Sequence, residues 1–385
     1  MTDTAAPDLR FGASTAQDPR EAVRELRDAI ALPDPALVMF FCSPSYDRDA
    51  IAAAVREAFG DTEVVGCTTA GEISPAGYRR DSLVGVAFSK GAFECAVGRL
   101  GDLSTFEFAD GSALARSLRE ELRGAGPGPN GRNTFGFMLI DGLSTKEEHV
   151  VSGIYRAIGD IPLVGGSAAD GEAFGETYVY HEGRFHNDAC VLAMLRTSLP
   201  FEVFRTQHFV PTDQKLVVTE ADVPTRTVVE INGLPAGSEY ARQLGLESDN
   251  LSQFTFAAHP VLVRVGGEYY VRSIMQLNDD ESMTFACAID SGIVVTLAEG
   301  RDLIQNLTDA LDDVRSRVGP PQLILGCDCL FRLLEMDQRG IRDRAAEVMA
   351  ANNVVGFATY GEQFHGMHVN QTFTGVALGR TGTSD

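Results

Sequence analysis

Apolar runs alternate along this chain with segments of helical spacing. Residues 36–42, 134–140 and 322–327 are apolar almost throughout, which is typical of strands that are buried on both faces. Each run is followed by an amphipathic segment and then by a second short apolar run. This spacing predicts helices over residues 21–31, 49–59, 112–123, 147–158, 235–244, 301–318 and 342–351.

The pattern changes near residue 201. Five segments beyond that point alternate apolar and polar residues between Gly or Asp turns, as half-buried antiparallel strands do. They cover residues 216–219, 227–231, 261–265, 269–273 and 284–288. The sequence therefore predicts a mixed α/β fold, with a polar extension at 1–34, duplicated α/β units in a domain at 35–200, and a strand-rich domain at 201–380 that ends in a related unit.

A short pattern occurs three times, following three of the predicted strands. The copies are VVGCTTAGE at 64–72, LVGGSAADGE at 163–172 and VVGFATYGE at 354–362. The second copy matches the others if one residue is inserted before its Gly-Glu. Each copy predicts a buried strand end, then a glycine where the backbone turns or another group approaches closely, then small residues. We expect the three copies to meet in one place.

Composition excludes several function classes. The formal net charge is -22, so the chain should not bind nucleic acids or anionic membranes, which carry charge of the same sign. No positively charged start precedes an apolar run, and the longest strongly apolar stretch, 36–42, is too short to span a bilayer. We expect a cytoplasmic protein whose seven cysteines are reduced, with Cys327 and Cys329 as buried thiols.

The repeats also suggest a binding site. Backbone N–H groups at such turns, together with nearby hydroxyls and one arginine, suit a carboxylate or another anion. The candidate ligand-binding residues are Gly66, Thr68, Thr69, Gly165, Ser167, Arg272, Thr359 and Gly361. The alternative interpretation is that the glycines only permit close packing of backbone elements.

Several segments resemble one known family. Residues 356–379 are similar to the closing signature of the FIST C domain, and residues 65–73 to the signature of the FIST N domain. Further similar segments lie at 163–170, 229–236 and 270–273, so the resemblance spans about residues 35–380. It implies a sensory protein of bacterial signal transduction that binds a small or gaseous ligand. Its partner would be a separate histidine kinase or cyclic-di-GMP enzyme, and a homodimer stays open.

The resemblance leaves two ligand classes open. Some stand-alone members of the family are described as haem-binding nitric oxide sensors, whereas an amino acid or a related metabolite was proposed for the wider family. Haem needs a neutral imidazole that faces an apolar pocket. The candidate haem-binding residues are His259, which is the predicted iron ligand, His208 and His368. Haem with nitric oxide is the specific prediction, and a metabolite is the alternative.

Catalysis is the second alternative. Cys67 follows the first glycine of the first repeat, where a turn at a helix N-terminus would lower its pKa and activate the thiol. The other repeats have Gly166 and Phe357 at this position, so the fold does not require a thiol there. We therefore expect a binding protein and no enzyme.

Overall fold

Within residues 7–124 and 128–380, which the computed structural model describes, the chain forms three copies of one α/β unit around a shared core. A fourth sheet is inserted into the third copy. The predicted mixed α/β fold with related units is confirmed. Parts of the predicted N-terminal extension and of a predicted linker at 124–131 lie outside the described residues, and the predicted domain boundaries stay predictions.

Unit 1 spans residues 9–89. Both of its helices begin at an aspartate, Asp18 or Asp47, whose side chain accepts a hydrogen bond from the first helical turn. Strand β1 lies in the predicted polar extension, where the sequence pattern predicts no strand. The elements are β1 (Leu9–Ser14), α1 (Pro19–Ala29), β2 (Pro35–Cys42), α2 (Arg48–Phe59), β3 (Val64–Thr68), β4 (Glu72–Ser74), β5 (Gly77–Arg79) and β6 (Leu83–Ser89).

Unit 2 spans residues 93–197 and has the same order of elements. A short 3-10 helix, Leu103–Thr105, precedes its first α-helix. Its second helix has the bounds that the sequence predicts, 147–158. The elements are β7 (Phe93–Gly101), α3 (Phe108–Glu121), β8 (Thr134–Ile140), α4 (Glu147–Ile158), β9 (Leu163–Ser167), β10 (Val179–His181), β11 (Arg184–His186) and β12 (Ala189–Thr197).

Unit 3 begins at residue 201. An insertion at residues 209–300 separates its first strand from its first helix, and we call this insertion the inserted sheet. The insertion also contains a short 3-10 helix, Ser248–Asn250. Unit 3 starts with β13 (Phe201–Thr206). The inserted sheet comprises β14 (Phe209–Asp222), β15 (Thr227–Ile231), β16 (Leu234–Pro235), α5 (Ala236–Leu244), α6 (Gln253–Ala258), β17 (Val261–Val265), β18 (Glu268–Arg272), β19 (Ile274–Leu277), β20 (Met283–Phe285) and β21 (Val294–Gly300). Unit 3 then continues with α7 (Leu303–Val318), β22 (Leu323–Cys329), α8 (Leu330–Gln338), α9 (Arg342–Ala351), β23 (Val354–Thr359), β24 (Glu362–Phe364), β25 (Met367–Val369) and β26 (Phe373–Leu378).

The three unit sheets have one topology, and each contains a hairpin from another unit. Their strand orders are β1-β6-β2-β3-β10-β11, β7-β12-β8-β9-β24-β25 and β13-β26-β22-β23-β4-β5. The central pairs β2-β3, β8-β9 and β22-β23 are parallel. Unit 2 thus supplies a hairpin to unit 1, unit 3 to unit 2, and unit 1 to unit 3. This cyclic exchange makes each sheet depend on two units.

The shared core explains the apolar runs. Residues on the inner faces of all three sheets form one cluster, in which the Phe41 and Phe357 rings stack 4.5 Å apart. The outer faces pack against the helices of each unit in three separate clusters. The strands of the central pairs are therefore buried on both faces, and their sequences do not alternate.

The first glycine of each repeat permits a close approach inside the sheet. Gly66, Gly165 and Gly356 lie within β3, β9 and β23, so the strand continues beyond them and the predicted turn is not at this residue. A Cβ atom there would lie 2.5, 2.0 and 1.8 Å, respectively, from a carbonyl oxygen of the neighbouring parallel strand. Any side chain at these positions would therefore separate the two strands.

Candidate functional site

The three repeats meet at the carboxyl ends of the parallel strands, as the sequence predicts. Ala70 N–H donates to the Ala358 carbonyl over 2.9 Å, and Ala169 N–H donates to the Thr68 carbonyl over 2.9 Å. Ser167 N–H donates to the Gly361 carbonyl over 2.8 Å. The N–H groups at these positions bond to other repeats, so they do not form an open anion-binding site.

The hydroxyl groups of the repeats, which are predicted ligand contacts, are also buried and hydrogen-bonded within the protein. Thr69 donates to Glu72 over 2.5 Å, and Thr359 donates to Glu362. Thr68 accepts from the Tyr178 N–H at 3.1 Å, and Ser167 accepts from the Gln363 amide at 3.0 Å. These hydroxyls hold the turns together.

The two repeat glutamates are buried acceptors. Glu72 accepts from Ser82 through both its backbone N–H and its hydroxyl, and Glu362 accepts from Thr372 in the same way. Burial raises the pKa of Glu72 to about 7 and that of Glu362 to about 8, although the hydroxyl hydrogen bonds act in the opposite direction. Both carboxyl groups are therefore able to hold a proton near neutral pH.

Unit 2 replaces this glutamate with an aspartate from another place in the chain. Val179 occupies the strand position of Glu72 and Glu362, because all three pair with the residue after the first glycine of a repeat. Asp141 accepts from the Asp188 N–H at 2.6 Å and from the Thr177 hydroxyl. Glu172, which ends the second repeat in the sequence, instead forms an exposed ion pair with Arg80 at 3.0 Å. The alignment of the three Gly-Glu pairs therefore does not hold in unit 2.

Two clefts open at this end of the molecule, at related positions. The first, which we call the open cleft, lies between the loop after β2 and the repeat turns of units 1 and 2, and it is lined mainly by small and polar residues. The second, which we call the covered cavity, has a volume of about 100 Å³ and lies between the loop after β8, the third repeat and the inserted sheet. The open cleft is lined by Ser43, Pro44, Ser45, Thr69, Ala70, Gly71, Arg80, Asp81, Gly171 and Glu172.

Aromatic and aliphatic side chains form most of the wall of the covered cavity. The Tyr360 and Phe174 rings stack with centroids 4.6 Å apart, and the Tyr360 hydroxyl donates to Asp170 and accepts from the Phe174 N–H at 3.2 Å. The inserted sheet supplies part of the same wall. The lining residues are Gly142, Leu143, Thr145, Phe174, Thr225, Arg226, Met275, Thr284, Phe285, Ala286, Leu330, Phe331 and Tyr360.

Arg226 joins the inserted sheet to unit 2 beside this cavity. Its Nη2 lies 2.6 Å from both Glu147 and Glu148 at the start of α4, and its Nη1 donates to the Ala286 carbonyl over 3.3 Å. Glu148 also accepts from the Ala288 N–H at 2.6 Å. Burial raises the pKa of Glu147 to about 7, and the Arg226 charge opposes that shift. One buried guanidinium is therefore paired with two carboxyl groups.

Two of the three candidate haem ligands are already engaged. The His208 ring is buried, and its Nε2 lies 2.9 Å from Glu335 while its Nδ1 faces Arg332 at 3.5 Å. Burial, with a smaller contribution from the charge of Arg226, lowers the pKa of His368 to about 4, and this neutral ring contacts Gln363 and the Ala286 carbonyl. Neither ring lines the covered cavity, and both are engaged with other residues.

His259 is exposed at the end of α6, and not in the apolar pocket that the sequence analysis expected. It lies on an open groove of about 610 Å³ that is lined largely by polar side chains, among them Glu299, Glu335 and Arg339. Bound haem needs an enclosing apolar wall, which this groove lacks. These residues do not fit haem. In residues 7–124 and 128–380 no group of three His, Cys, Asp or Glu side chains is placed to hold a metal ion.

Cys67 and Arg272 both lie away from the lining of the covered cavity. Cys67 is a strand residue in the shared core, and burial raises the pKa of its thiol well above its usual value, contrary to the predicted activation. Arg272 is half-buried at the end of β18, where its Nη1 lies 3.5 Å from the Val271 carbonyl, and it does not line the covered cavity.

Sequence reasoning missed the residues that build the cavity. Tyr360 had a usable signal, because a large aromatic residue stands where the first repeat has Ala70. Arg226 and Phe174 had none, since each contacts residues that are distant in the sequence. Glu147 and Glu148 begin the helix predicted over 147–158, and nothing in the local sequence marks them as partners of Arg226.

Sequence comparison identifies two matching domain models. The model described as the FIST N domain matches residues 36–234, and the model described as the FIST C domain matches residues 236–365. The chain is 23% identical over 355 residues to the uncharacterized protein MJ1623 of Methanocaldococcus jannaschii, and this match covers 81% of the chain and 67% of that protein.

Comparison with solved structures finds weak likenesses. The cyanuric acid hydrolase from A. caulinodans has 11% identity and a TM-score of 0.30, and the match covers 50% of this chain and 72% of the hydrolase. PurLQS from Thermotoga maritima has 10% identity and a TM-score of 0.21, and the match covers 97% of this chain and 72% of that one. At these TM-scores neither likeness supports an argument. No helix in the part of the chain that the structure describes is long and apolar enough to cross a membrane.

Proposed function

Because the chain belongs to the FIST family, whose domains are sensory domains of signal transduction, we propose that it senses a small ligand in the covered cavity. The observation that carries this proposal is the convergence of three separate parts of the fold on one cavity. Leu143 comes from unit 2, Tyr360 and Phe331 from unit 3, and Met275 and Phe285 from the inserted sheet. Small-ligand sites are typically apolar and concave in this way.

The position of the cavity suggests how binding is reported. A ligand there contacts the inserted sheet and the unit core at once, so it stabilises the arrangement in which the two are packed together. That population shift would alter the surface available to a partner. The family role points to a separate histidine kinase or cyclic-di-GMP enzyme as this partner. The proposal is therefore a binding role and not catalysis.

The test is a ligand screen with a filled cavity as comparison. A panel of amino acids and small metabolites is examined by saturation-transfer NMR with the wild type, with Met275→Trp, which fills the cavity, and with Met367→Trp as the matched control. Met367 is half-buried on β25 and does not line the cavity. We expect binding to be lost only in Met275→Trp.

A bound ligand at 100 times its Kd should also raise the free energy of unfolding by about 2.7 kcal/mol in the wild type and in Met367→Trp. Cooperative unfolding of Met275→Trp establishes that this variant is folded. Ligands that still bind to Met275→Trp with unchanged affinity would contradict the assignment of the cavity.

A further inference from the structure

The charge at the wall of the covered cavity comes from Arg226. It is the charged side chain among the described residues that line the cavity, and it is 7% exposed. Its Nη2 is shared by Glu147 and Glu148, and its Nη1 donates to the Ala286 carbonyl. Three of its five N–H donors, including both on Nη2, are therefore engaged with the protein, and a ligand carboxylate has no free pair of donors to bind in bidentate fashion.

The charges behind Arg226 disfavour an anion further. Glu147 and Glu148 place two carboxyl groups beside one guanidinium, so a ligand carboxylate would enter a site whose positive charge is already matched. The ligand carboxylate would also lose its hydration without gaining an unpaired cation as partner, and the free energy of this desolvation is unfavourable in a buried site. An anionic ligand is thus poorly suited to the cavity.

A cation is poorly suited for a different reason. No carboxylate is among the described residues that line the cavity, and the guanidinium of Arg226 carries the same sign as an amine. The remaining polar groups at the wall are the hydroxyls of Thr145, Thr225, Thr284 and Tyr360, which bond neutral groups as readily as charged ones.

The size of the cavity sets the other limit. Its volume is about 100 Å³. An apolar cavity of about 150 Å³ is able to bind benzene, so this one accommodates a slightly smaller molecule unless the wall moves. The stacked rings of Phe174 and Tyr360 and the side chain of Phe331 favour a compact apolar body.

We infer that the ligand is a small uncharged molecule with a branched or cyclic apolar body and at most one hydrogen-bonding group, and that Glu147 and Glu148 exclude carboxylates by occupying Arg226. This inference rests on the proposed function of the cavity. It separates the ligand from free amino acids, which carry a carboxylate and an ammonium group at neutral pH.

Four compounds that share an isopropyl group test the inference: isobutanol (neutral), isobutyrate (anionic), isobutylamine (cationic) and valine (zwitterionic). A second set of four compounds that share a cyclopropyl group is measured in parallel. Dissociation constants are determined by NMR titration of the full chain at pH 7.5. We expect the neutral alcohols to bind at least tenfold more tightly than the three charged forms, and Met275→Trp to abolish this binding.

The variant Glu148→Gln tests the role of Arg226, because it removes one negative charge and leaves Glu147 to hold the guanidinium. The affinity for isobutyrate should rise at least fivefold while that for isobutanol is unchanged. Glu172→Gln, which alters the exposed pair with Arg80 in the open cleft, is the control and should change neither.

The possible results separate the two proposals. Tighter binding of isobutyrate, isobutylamine or valine than of isobutanol, sensitive to Met275→Trp, would overturn the ligand class and leave the sensory cavity in place. Binding by none of the eight compounds to the wild type would count against both. An unchanged preference in Glu148→Gln, with the fold intact, would show that Arg226 does not set the selectivity.

Discussion

The open cleft and the covered cavity occupy related positions in the fold, yet they differ in almost every property. The loop after β2 contributes Ser45 to the open cleft, and the loop after β8 contributes Leu143 at the same offset to the covered cavity. Gly171 and Glu172 leave the first cleft polar, whereas Tyr360 and the inserted sheet enclose the second. A repeated backbone thus supplies equivalent positions, and what covers them decides which becomes a binding site.

The ion pairs of the two clefts provide the strongest contrast. Arg226→Ala leaves Glu147 and Glu148 buried without their cation, so it should lower the free energy of unfolding by about 3–5 kcal/mol. Arg80→Ala removes a pair whose side chains are 54% and 45% exposed, and it should cost about 0–1 kcal/mol. Urea denaturation of both variants measures the difference. Equal costs would show that the inserted sheet does not seal the second site.

The buried glutamates behind the clefts should differ in their pH dependence. A folded-state pKa above the unfolded value means that the folded state binds more protons, so stability falls as the pH rises from about 4.5 to the folded pKa. The free energy of unfolding of the wild type, measured relative to that of Glu362→Gln, should therefore fall by about 1.4 kcal/mol per pH unit up to about pH 8.

The same difference in the free energy of unfolding, measured between the wild type and Glu72→Gln, should stop changing near pH 7, because the pKa of Glu72 is raised less. Chemical denaturation of the wild type and both variants at half-unit steps from pH 5 to 9 checks both limits. A pH-independent difference would mean that these carboxyl groups titrate normally.

Exchanging the equivalent side chains tests the wall chemistry. Leu143→Ser gives the covered cavity the residue of the open cleft, and the loss of half-buried apolar contact should cost about 1–2 kcal/mol. Ser45→Leu makes the reverse change on the open side and should stay within about 0.5 kcal/mol. Thermal unfolding of both variants gives these values. A large cost for Ser45→Leu would indicate that the open cleft is more closely packed than its lining suggests.

We expect neither the open cleft nor the covered cavity to bind haem. This is the smallest of the predicted effects. Titration of the protein with haem should give no saturable Soret band at one-to-one stoichiometry, since His208 and His368 are engaged and His259 lies on an open groove. Absorption spectra of the wild type and His259→Ala should therefore agree. A band that is lost in His259→Ala would restore the haem prediction.

Much of the architecture followed from local pattern. The continuous apolar runs gave the central strands, and amphipathic spacing gave helices such as 147–158, because a segment buried on both faces has no polar positions. The hairpins β4-β5 and β24-β25, which pass between units, lie in segments where the pattern predicts no strand. Strands such as β4 and β24 are only three residues long, and their partners lie in another unit.

The candidate site was predicted less well, since the residues with the clearest sequence signal serve the fold. Gly66, Thr69 and Thr359 hold the repeats together. The prediction of His259 rests on a local apolar context that the structure does not reproduce. The motif residues thus indicated positions where the fold requires a particular residue type. They did not indicate where a cavity is present.

The sequence by itself determined the alternation of strands and helices, the threefold recurrence of one unit, the excess of negative charge and the family. Each of these depends on residues that are close in the chain or on their total. Only the tertiary structure decided that Arg226 meets Glu147 and Glu148, that Asp141 replaces a repeat glutamate, and that one of two related clefts is enclosed. These features depend on contacts between distant residues, and such contacts leave no periodic signal in a single sequence.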